Sequence, residues 1–299
     1  MTNQIKIYKN PLRSLKRIFR KLPWLKHNDR AFIKWDYYFG MGKFPDLDNP
    51  KRFNEKLQWL KLHDKRPEYT LMVDKYEAKK YVAGILGEEY IIPTLGVWER
   101  FEDIDFDALP QQFVLKCTHD SGGLVICPDK SKLNIEKAQK KINKRLKRNQ
   151  FRKHREYPYK GVKPRIIAEQ FMVDESGTEL KDYKFFCFNG EPKMLLLASN
   201  RSKGTYMNFY DMEFNLLPVQ RAAHPNAKNL FVKPDGFDKM KQLAKTLSKG
   251  IPHIRVDFYN INGKIYFGEL TFFSGSGNIP FHPDEWDYKI GEWLELPKE

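Results

Sequence analysis

The sequence lacks long hydrophobic runs and paired cysteines, and each lack excludes a class of protein. Its longest apolar runs, such as residues 194–198, are far too short to span a bilayer. The basic N-terminus has no continuous apolar segment ending in small residues, so no signal peptide is predicted and a cytoplasmic location is expected. The three cysteines, Cys117, Cys127 and Cys187, lie in strand-like runs without metal-ligand spacing, which predicts buried, reduced thiols.

Two common nucleotide-binding fingerprints are also missing. The chain contains neither the P-loop pattern G-x-x-x-x-G-K-[ST] nor a dinucleotide fingerprint. Internal repeats and low-complexity linkers are absent as well. The chain has 299 residues, of which 41% are hydrophobic and 14% aromatic. It is therefore long enough for one large domain or two smaller ones around a sizeable core.

The net charge of +15 is concentrated in two basic stretches. Residues 11–26 place apolar side chains at helical spacing between Arg and Lys, which predicts a short basic amphipathic helix. Residues 140–165 begin as a helix and end as a loop punctuated by Pro and Gly. Each stretch is equally compatible with a solvated face. The functional alternatives are an anionic membrane surface for the first, and an anionic polymer or a phosphorylated substrate for the second.

The order of the predicted elements indicates an α+β fold built around antiparallel sheets. We predict a basic helical extension over residues 1–50, a helical and α+β region over 51–110, a central lobe with a Gly-rich loop over 111–165, and a C-terminal lobe over 166–299. Within the last region, mostly strands, one helix is predicted at about residues 235–249.

A hairpin over residues 254–271 carries charges inside its strands. Asn262-Gly263 predicts the turn. A plain two-residue turn would place Asp257 opposite Gly268, whereas an odd loop with a bulge at Gly263 would bring Asp257 and Glu269 to one face. We expect the odd loop. Two carboxylates that share an apolar face repel each other, so a bound cation is the expected reason for the pair.

Two further stretches have the chemistry of a nucleotide site. Lys116 precedes a Ser121-Gly122-Gly123 turn, and an ammonium beside free backbone N–H groups can hold a phosphate. An edge-strand lysine before an ordinary hairpin is the alternative. The apolar strand at 166–173 contains Glu169 and can receive an adenine, and Glu179 or Asp182 can accept hydrogen bonds from ribose hydroxyls. A strand edge with solvated charges is the alternative there.

The chain contains, in this order, a lysine strand, a Gly loop, the "EQFM" strand, an Arg-x-Asp strand and a Glu-x-Thr strand. This order of elements resembles that of the ATP-grasp enzymes. Within these enzymes, the chain resembles the TupA-like subfamily, which belongs to bacterial surface-polysaccharide gene clusters. Four segments carry this resemblance: "FNEKLQWLKL", "DKYEAKKYV", "LPQQFVLKCTHDSGG" and "RVDFYNINGKIYFGELTF". The resemblance covers roughly residues 45–280. It implies two α+β lobes that enclose ATP and Mg²⁺.

The resemblance also implies a role for each matching residue. Lys116 and Lys184 would contact the phosphates, and Ser121, Gly122 and Gly123 would cover them. Glu169, Gln170, Phe171 and Met172 would form the adenine hinge, with Glu179 or Asp182 at the ribose. Asp257 and Glu269 would bind Mg²⁺, and Arg255 would neutralise the transferred phosphoryl group. Thr271 stands where the family usually has Asn, and its hydroxyl can still bind an ion. By position alone, Arg201, Ser274 and Ser276 are candidates for holding the substrate.

The function implied is that of an ATP-dependent carboxylate–amine ligase. The acid would be a uronic acid of a bacterial capsular or surface polysaccharide, the nucleophile an amino acid or small amine, and no nucleic acid partner is predicted. One alternative is a glycosyltransferase, because Asp103, Asp105 and Asp107 have D-x-D spacing. Another is a non-catalytic binder of anionic polymers, which the basic stretches would favour.

Overall fold

The computed structural model describes residues 16, 19–20, 22–174, 177, 180–199, 205–221, 224–227 and 230–298. Two predicted site residues, Glu179 and Arg201, lie outside the described residues, as does half of the predicted basic helix at 11–26. Of that segment, Lys16 and Arg20 form ion pairs with the buried Asp36 of the first helix at 3.1 and 2.8 Å. These two positive charges are therefore directed towards the protein.

Residues 29–86 are mainly helical. They contain α1 (Asp29–Met41), α2 (Phe53–His63), α3 (Tyr69–Val73) and α4 (Glu77–Leu86). Helix α1 begins after Asn28, whose side chain accepts a hydrogen bond from the Ala31 amide, and ends at Gly42, whose φ of 76° suits glycine. Gly87 ends α4 as predicted. Helices α2, α3 and α4 pack against the second of the two sheets described next.

The first sheet is antiparallel and supports the Gly loop. Its strands are β1 (Thr94–Trp98), β2 (Phe113–Cys117), β3 (Leu124–Cys127) and β4 (Ile166–Gln170), in the spatial order β1-β4-β2-β3. Helices α5 (Ile135–Leu146) and α6 (Gln150–His154) follow β3. Ala138 and Ile142 of α5 pack under one face of this sheet. Because residues alternate along β2, Lys116 points away from that face.

The second sheet is also antiparallel and carries the hairpin. Its strands are β5 (Asp182–Phe188), β6 (Glu191–Ser199), β7 (Tyr206–Tyr210), β9 (His253–Ile261) and β10 (Lys264–Thr271), in the order β10-β9-β5-β6-β7. A short strand β8 (Gln220–Arg221) pairs with β11 (Phe281–His282). Helix α7 (Phe237–Ser248) packs against β5, β6 and β9, and α8 (Glu285–Trp293) packs against α2.

The predicted α+β class is confirmed, with two differences in detail. Strand β4 pairs with β1 and β2. It therefore belongs to the first sheet, although the sequence grouped residues 166–170 with the C-terminal lobe. Helix α8 was not predicted, because its apolar residues, such as Trp286 and Ile290, are few and become buried only through long-range packing on the N-terminal helices.

Three other expectations can be compared with the described residues. Asn189-Gly190 forms a two-residue turn with both residues at positive φ, as predicted. Cys117, Cys127 and Cys187 are buried and free. No helix in the described part of the chain is both long enough and apolar enough to cross a membrane.

Candidate active site

A cleft of about 280 Å³ brings the two sheets' charged residues together. One side consists of residues near the Gly loop, and the other of residues on β5, β9 and β10. The lining comprises Lys75, Lys116, Cys117, Asp120, Ser121, Gly122, Gly123, Leu124, Asp182, Lys184, Arg255, Tyr259, Gly268 and Glu269. The predicted phosphate-binding residues thus face the predicted metal-binding hairpin.

The hairpin places Asp257 opposite Glu269, but by a different device from the one predicted. Its loop is a plain two-residue turn, Asn262-Gly263, with both residues at positive φ and Ile261 paired with Lys264. The register shifts further along β10, where Gly268 is the extra residue between Phe267 and Glu269. The expected odd loop is therefore wrong, whereas the expected proximity of the two carboxylates is confirmed.

Arg255 binds both hairpin carboxylates at once. Its Nε and Nη2 donate to Asp257 at 2.7 and 2.8 Å, and Nη2 also donates to Glu269 at 2.8 Å and to the Thr271 hydroxyl at 3.1 Å. Lys184 forms ion pairs with Asp257 and, at 3.2 Å, with Asp182. Burial alone would raise the pKa of Glu269, but Arg255 and Lys184 outweigh burial and lower its pKa.

The side chain of Glu169, on strand β4 of the first sheet, lies between two lysines. Its carboxylate pairs with Lys116 and, at 2.6 Å, with Lys79 of α4. Burial opposes ionisation, but the two ammonium groups outweigh it and lower the pKa of Glu169 to about 2. None of the described residues that line the cleft comes from the predicted adenine hinge, Glu169–Met172. The Glu169 side chain is 6% exposed and orients two lysines.

The Gly loop is closed by its own aspartate. One oxygen of Asp120 accepts hydrogen bonds from the amides of Gly122 and Gly123 at 3.1 and 2.7 Å. The Lys75 ammonium donates a hydrogen bond to the backbone carbonyl oxygen of Asp120 at 2.8 Å. Arg145 forms an ion pair with the second carboxylate oxygen of Asp120 at 3.4 Å. The amides of Gly122 and Gly123 are therefore not free, contrary to the expectation from the sequence, and an anion that binds them would have to replace the Asp120 carboxylate.

The predicted substrate turn at Ser274–Gly277 divides into two parts. Ser274 is fully buried, and its hydroxyl accepts hydrogen bonds from Arg221 at 2.7 Å and Arg255 at 3.3 Å. Ser276 is half-buried and donates to Glu156 at 2.6 Å. Ser274 therefore contacts substrate only if an arginine releases it, whereas Ser276 is partly accessible.

Several residues of the site were not found from the sequence: Lys75, Lys79, Asp120, Arg221, Tyr259 and Gly268. Lys75 and Lys79 lie in the segment "DKYEAKKYV", so a local motif pointed to their region. Asp120 could have been recognised from its position two residues before Gly122, a spacing at which Asp bonds the backbone. Tyr259 shares a face of β9 with Arg255 and Asp257, as residue alternation predicts, but no role was assigned to it. Arg221 reaches the site only through sheet topology, which the sequence does not display.

Comparison with protein families identifies this arrangement. The model of the family described as "TupA-like ATPgrasp" matches residues 55–295. The chain belongs to this family. No curated protein shows significant sequence similarity to it.

Solved ATP-grasp ligases are distant structural neighbours of this TupA-like protein. The D-alanine–D-alanine ligase of Helicobacter pylori is 14% identical, with a TM-score of 0.44 over 83% of this chain and 68% of that chain. The Bacillus anthracis D-alanine–D-alanine ligase complexed with ATP is 14% identical, with a TM-score of 0.41 over 68% of this chain. The match spans only 54% of the Bacillus enzyme's length.

The hairpin of this ATP-grasp protein offers oxygen ligands suited to Mg²⁺. Asp257 and Glu269 supply carboxylates, and Thr271 supplies a hydroxyl 3.3 Å from Glu269. No group of three or more metal-ligating His, Cys, Asp or Glu side chains occurs among the described residues. Mg²⁺ is commonly held by one or two carboxylates, with substrate phosphates and waters completing its shell. The donor set therefore fits a magnesium ion that arrives with a nucleotide.

Proposed function

We propose that this protein is an ATP-dependent ligase that joins a carboxylate to an amine. The observation that carries the proposal is the cleft itself, where Lys75, Lys116 and the Gly loop face the hairpin with Arg255 and Glu269. The first group suits a polyphosphate and the second a metal ion with a transferring phosphoryl group. Family membership supports the same assignment.

In this proposal, the nucleotide phosphates lie between the two sheets. Lys75, Lys116 and the amides of Gly122 and Gly123 bind them, displacing the Asp120 carboxylate from the loop. Glu169 keeps the Lys116 ammonium in place. The adenine hinge at Gln170–Met172 and a ribose contact from Glu179 or Asp182 remain predictions from the resemblance.

The chemistry proceeds in two displacements. An oxygen of the substrate carboxylate attacks the γ-phosphorus of ATP, the bond from that phosphorus to the β–γ bridging oxygen breaks, and ADP leaves. The amine nitrogen then attacks the carbonyl carbon of the acyl phosphate. The bond from that carbon to the phosphate oxygen breaks, orthophosphate leaves with the electron pair, and the nitrogen loses a proton.

Side chains of the hairpin supply the electrostatic part of catalysis. Asp257, Glu269 and Thr271 would hold Mg²⁺, which when bound neutralises phosphate charge. Arg255 is released from the carboxylates at that point. Its planar fork can then bind the phosphoryl oxygens, where charge develops during transfer. Lys184, beside Asp182 and Asp257, adds a second cation at the same edge.

The proposed acid is a uronic acid unit of a bacterial surface polysaccharide or its precursor, and the amine an amino acid or small amine. The support is the TupA-like resemblance together with a cleft rich in cations. The test is a screen for ADP release with uronic acids against a panel of amino acids, with mass spectrometry of the product. Amide formation that depends on both substrates is expected. ATP turnover that no acid and amine pair stimulates would contradict the proposal.

The described geometry does not favour the glycosyltransferase alternative. Asp103 pairs with Arg100 at 2.9 Å, and Asp105 accepts hydrogen bonds from the Asp107 and Ala108 amides at 3.0 and 3.3 Å. These three aspartates lie outside the lining of the cleft. Release of ADP, without release of a nucleoside diphosphate from a sugar donor, separates the two functions.

A peripheral contact with anionic membrane through residues 11–26 completes the proposal. Its support is the basic amphipathic pattern of the segment. Because Lys16 and Arg20 pair with Asp36, the remaining cations would carry the attraction. Deletion of residues 1–26 should abolish sedimentation with anionic liposomes at low salt. Equal sedimentation with neutral liposomes would contradict a charge-driven contact.

A further inference from the structure

Arg221 is a buried cation that has no ion-pair partner among the described residues. Its side chain belongs to β8 and is 5% exposed. Its two Nη atoms donate to the hydroxyl and carbonyl oxygens of Ser274 at 2.7 and 2.9 Å. Its Nε, also buried, has no hydrogen-bond partner among the described residues. Burial and then the positive charge of Arg255 lower the pKa of Arg221 to about 9, and the smaller opposing effect of Asp287 does not restore its ordinary value.

Comparison with another buried arginine shows how unusual this environment is. Arg155 is buried to a similar degree, at 7% exposure, and forms an ion pair with Asp29 at 2.8 Å. No described carboxylate lies within ion-pair distance of Arg221. A buried charge is normally paired because desolvation is costly, so the partner of Arg221 is expected to be an anion that the protein binds.

The position of Arg221 connects it to the reaction. The Ser274 hydroxyl accepts hydrogen bonds from both Arg221 and Arg255. Arg255 lines the cleft, whereas Arg221 is not among the lining residues and is linked to Arg255 through the Ser274 hydroxyl. An anion that reached Arg255 beside Ser274 would therefore meet Arg221 as well, and neither Arg221 nor Ser274 is among the groups proposed above to bind the nucleotide phosphates.

The available donors suit a carboxylate. The Nε of Arg221 and the adjacent Nη form a parallel fork of the kind that binds two carboxylate oxygens. Ser274 occupies the Nη donors at present. If the two oxygens of a ligand carboxylate replaced Ser274 as acceptors for Arg221, the Nε of Arg221 would gain a hydrogen-bond partner. The ligand would also supply the negative charge that Arg221 lacks among the described residues.

We propose that Arg221, together with Ser274 and Arg255, forms the subsite for the reacting carboxylate of the acid substrate. This inference rests on the ligase function proposed above. Arg221 would then bind the acid before phosphoryl transfer, and its loss would affect the acid much more than the nucleotide.

The test measures binding of the smallest carboxylate probe. The protein is saturated with Mg²⁺ and AMP-PNP, a nucleotide that is not hydrolysed, and titrated with ¹³C-acetate by NMR. Arg221→Gln should weaken acetate binding by at least about tenfold, a clear change in binding free energy. Mg–AMP-PNP affinity should change by less than about twofold. Arg155→Gln, which removes a buried arginine elsewhere, should leave acetate affinity unchanged.

A second arm distinguishes the carboxylate from phosphate. Orthophosphate is titrated into the MgADP complex, and Arg221→Gln should leave its affinity unchanged. Unchanged acetate affinity, or a loss confined to orthophosphate, would overturn the subsite. If Arg221→Gln does not fold, Arg221→Lys keeps the charge without the fork and should still weaken acetate binding by about threefold or more. Failure of the parent protein to bind Mg–AMP-PNP would contradict the ligase function itself.

Discussion

Asp257 lies directly opposite Glu269 because Gly268 is bulged out of strand β10. The bulge has a steric requirement: a Cβ atom on Gly268 would lie 3.0 Å from the Asp257 carbonyl oxygen and 3.3 Å from the Tyr259 ring. Gly268 also lines the cleft. A side chain at this position would therefore disturb both the carboxylate pair and the space proposed for the nucleotide.

We predict that Gly268→Ala lowers the free energy of unfolding by roughly 1–3 kcal/mol, because the contact with backbone at 3.0 Å forces a shift. Gly161→Ala is the matched control, since its Cβ would meet nothing nearer than Thr70 at 3.7 Å. Urea unfolding of the three proteins measures the difference. Equal stability of the two variants would show that the bulge accommodates a side chain.

Arg255 and a metal ion cannot occupy the same carboxylate oxygens. In the structure, Arg255 takes both oxygens of Asp257 and one of Glu269. Arg255→Gln removes this competing charge, so we predict at least about tenfold tighter binding of Mn²⁺ in the absence of nucleotide. Electron paramagnetic resonance of free Mn²⁺ measures it. The exposed Arg100→Gln is the control, and an unchanged or weaker Mn²⁺ affinity in Arg255→Gln would remove the metal assignment.

The sequence was most informative where local chemistry decides the structure. The turns at Asn189-Gly190 and Asn262-Gly263 and the strand, loop and strand around Ser121 follow from positive φ and residue alternation. The proximity of Asp257 and Glu269 was anticipated, but the bulge at Gly268 was assigned to the turn. A bulge depends on how two strands pack, and a single Gly inside a strand does not determine its register.

The parts of the site that were missed depend on contacts distant in sequence. Glu169 of β4 meets Lys79 of α4, 90 positions earlier, through a contact that only the tertiary fold creates. Arg221 reaches Ser274 across 53 positions. The burial of Ser274 was equally hidden, since a Ser-Gly turn is usually exposed. Charged residues in apolar strands indicated that a site exists, whereas the identity of each partner required the fold.

The Lys79–Glu169–Lys116 cluster should control the acid stability of the protein. The pKa of Glu169 is about 2 in the folded state, below its ordinary value of 4.5. Its contribution to stability is therefore fully present above pH 4.5 and is lost as the pH falls towards 2. The shift corresponds to on the order of 3 kcal/mol.

The measurement is the free energy of unfolding of the parent and of Glu169→Gln between pH 7 and 2. At neutral pH the variant should be less stable by roughly 3–5 kcal/mol, because two buried ammonium groups lose their partner. Its stability should also fall less steeply below pH 4.5 than that of the parent. Parallel curves for the two proteins would show that Glu169 does not titrate in this range.

The last prediction separates the metal's role in catalysis from its role in binding. Asp257→Asn preserves the volume of a side chain that is 1% exposed, but places an amide N–H where Arg255 and Lys184 donate. A loss of stability of about 1–3 kcal/mol is therefore expected from the mismatched donors. The remaining effect should lie in kcat, because a carboxylate that holds Mg²⁺ matters most as phosphoryl charge develops.

We expect kcat for ADP release to fall by roughly 10²-fold or more, with a much smaller change in the KM for the acid. Asp36→Asn is the control, since Asp36 is also a buried aspartate that pairs with cations but is not among the residues that line the cleft. Its kcat should change less. A folded Asp257→Asn protein that releases ADP at the parent rate, in the presence of acid and amine, would contradict both the metal site and the ligase function.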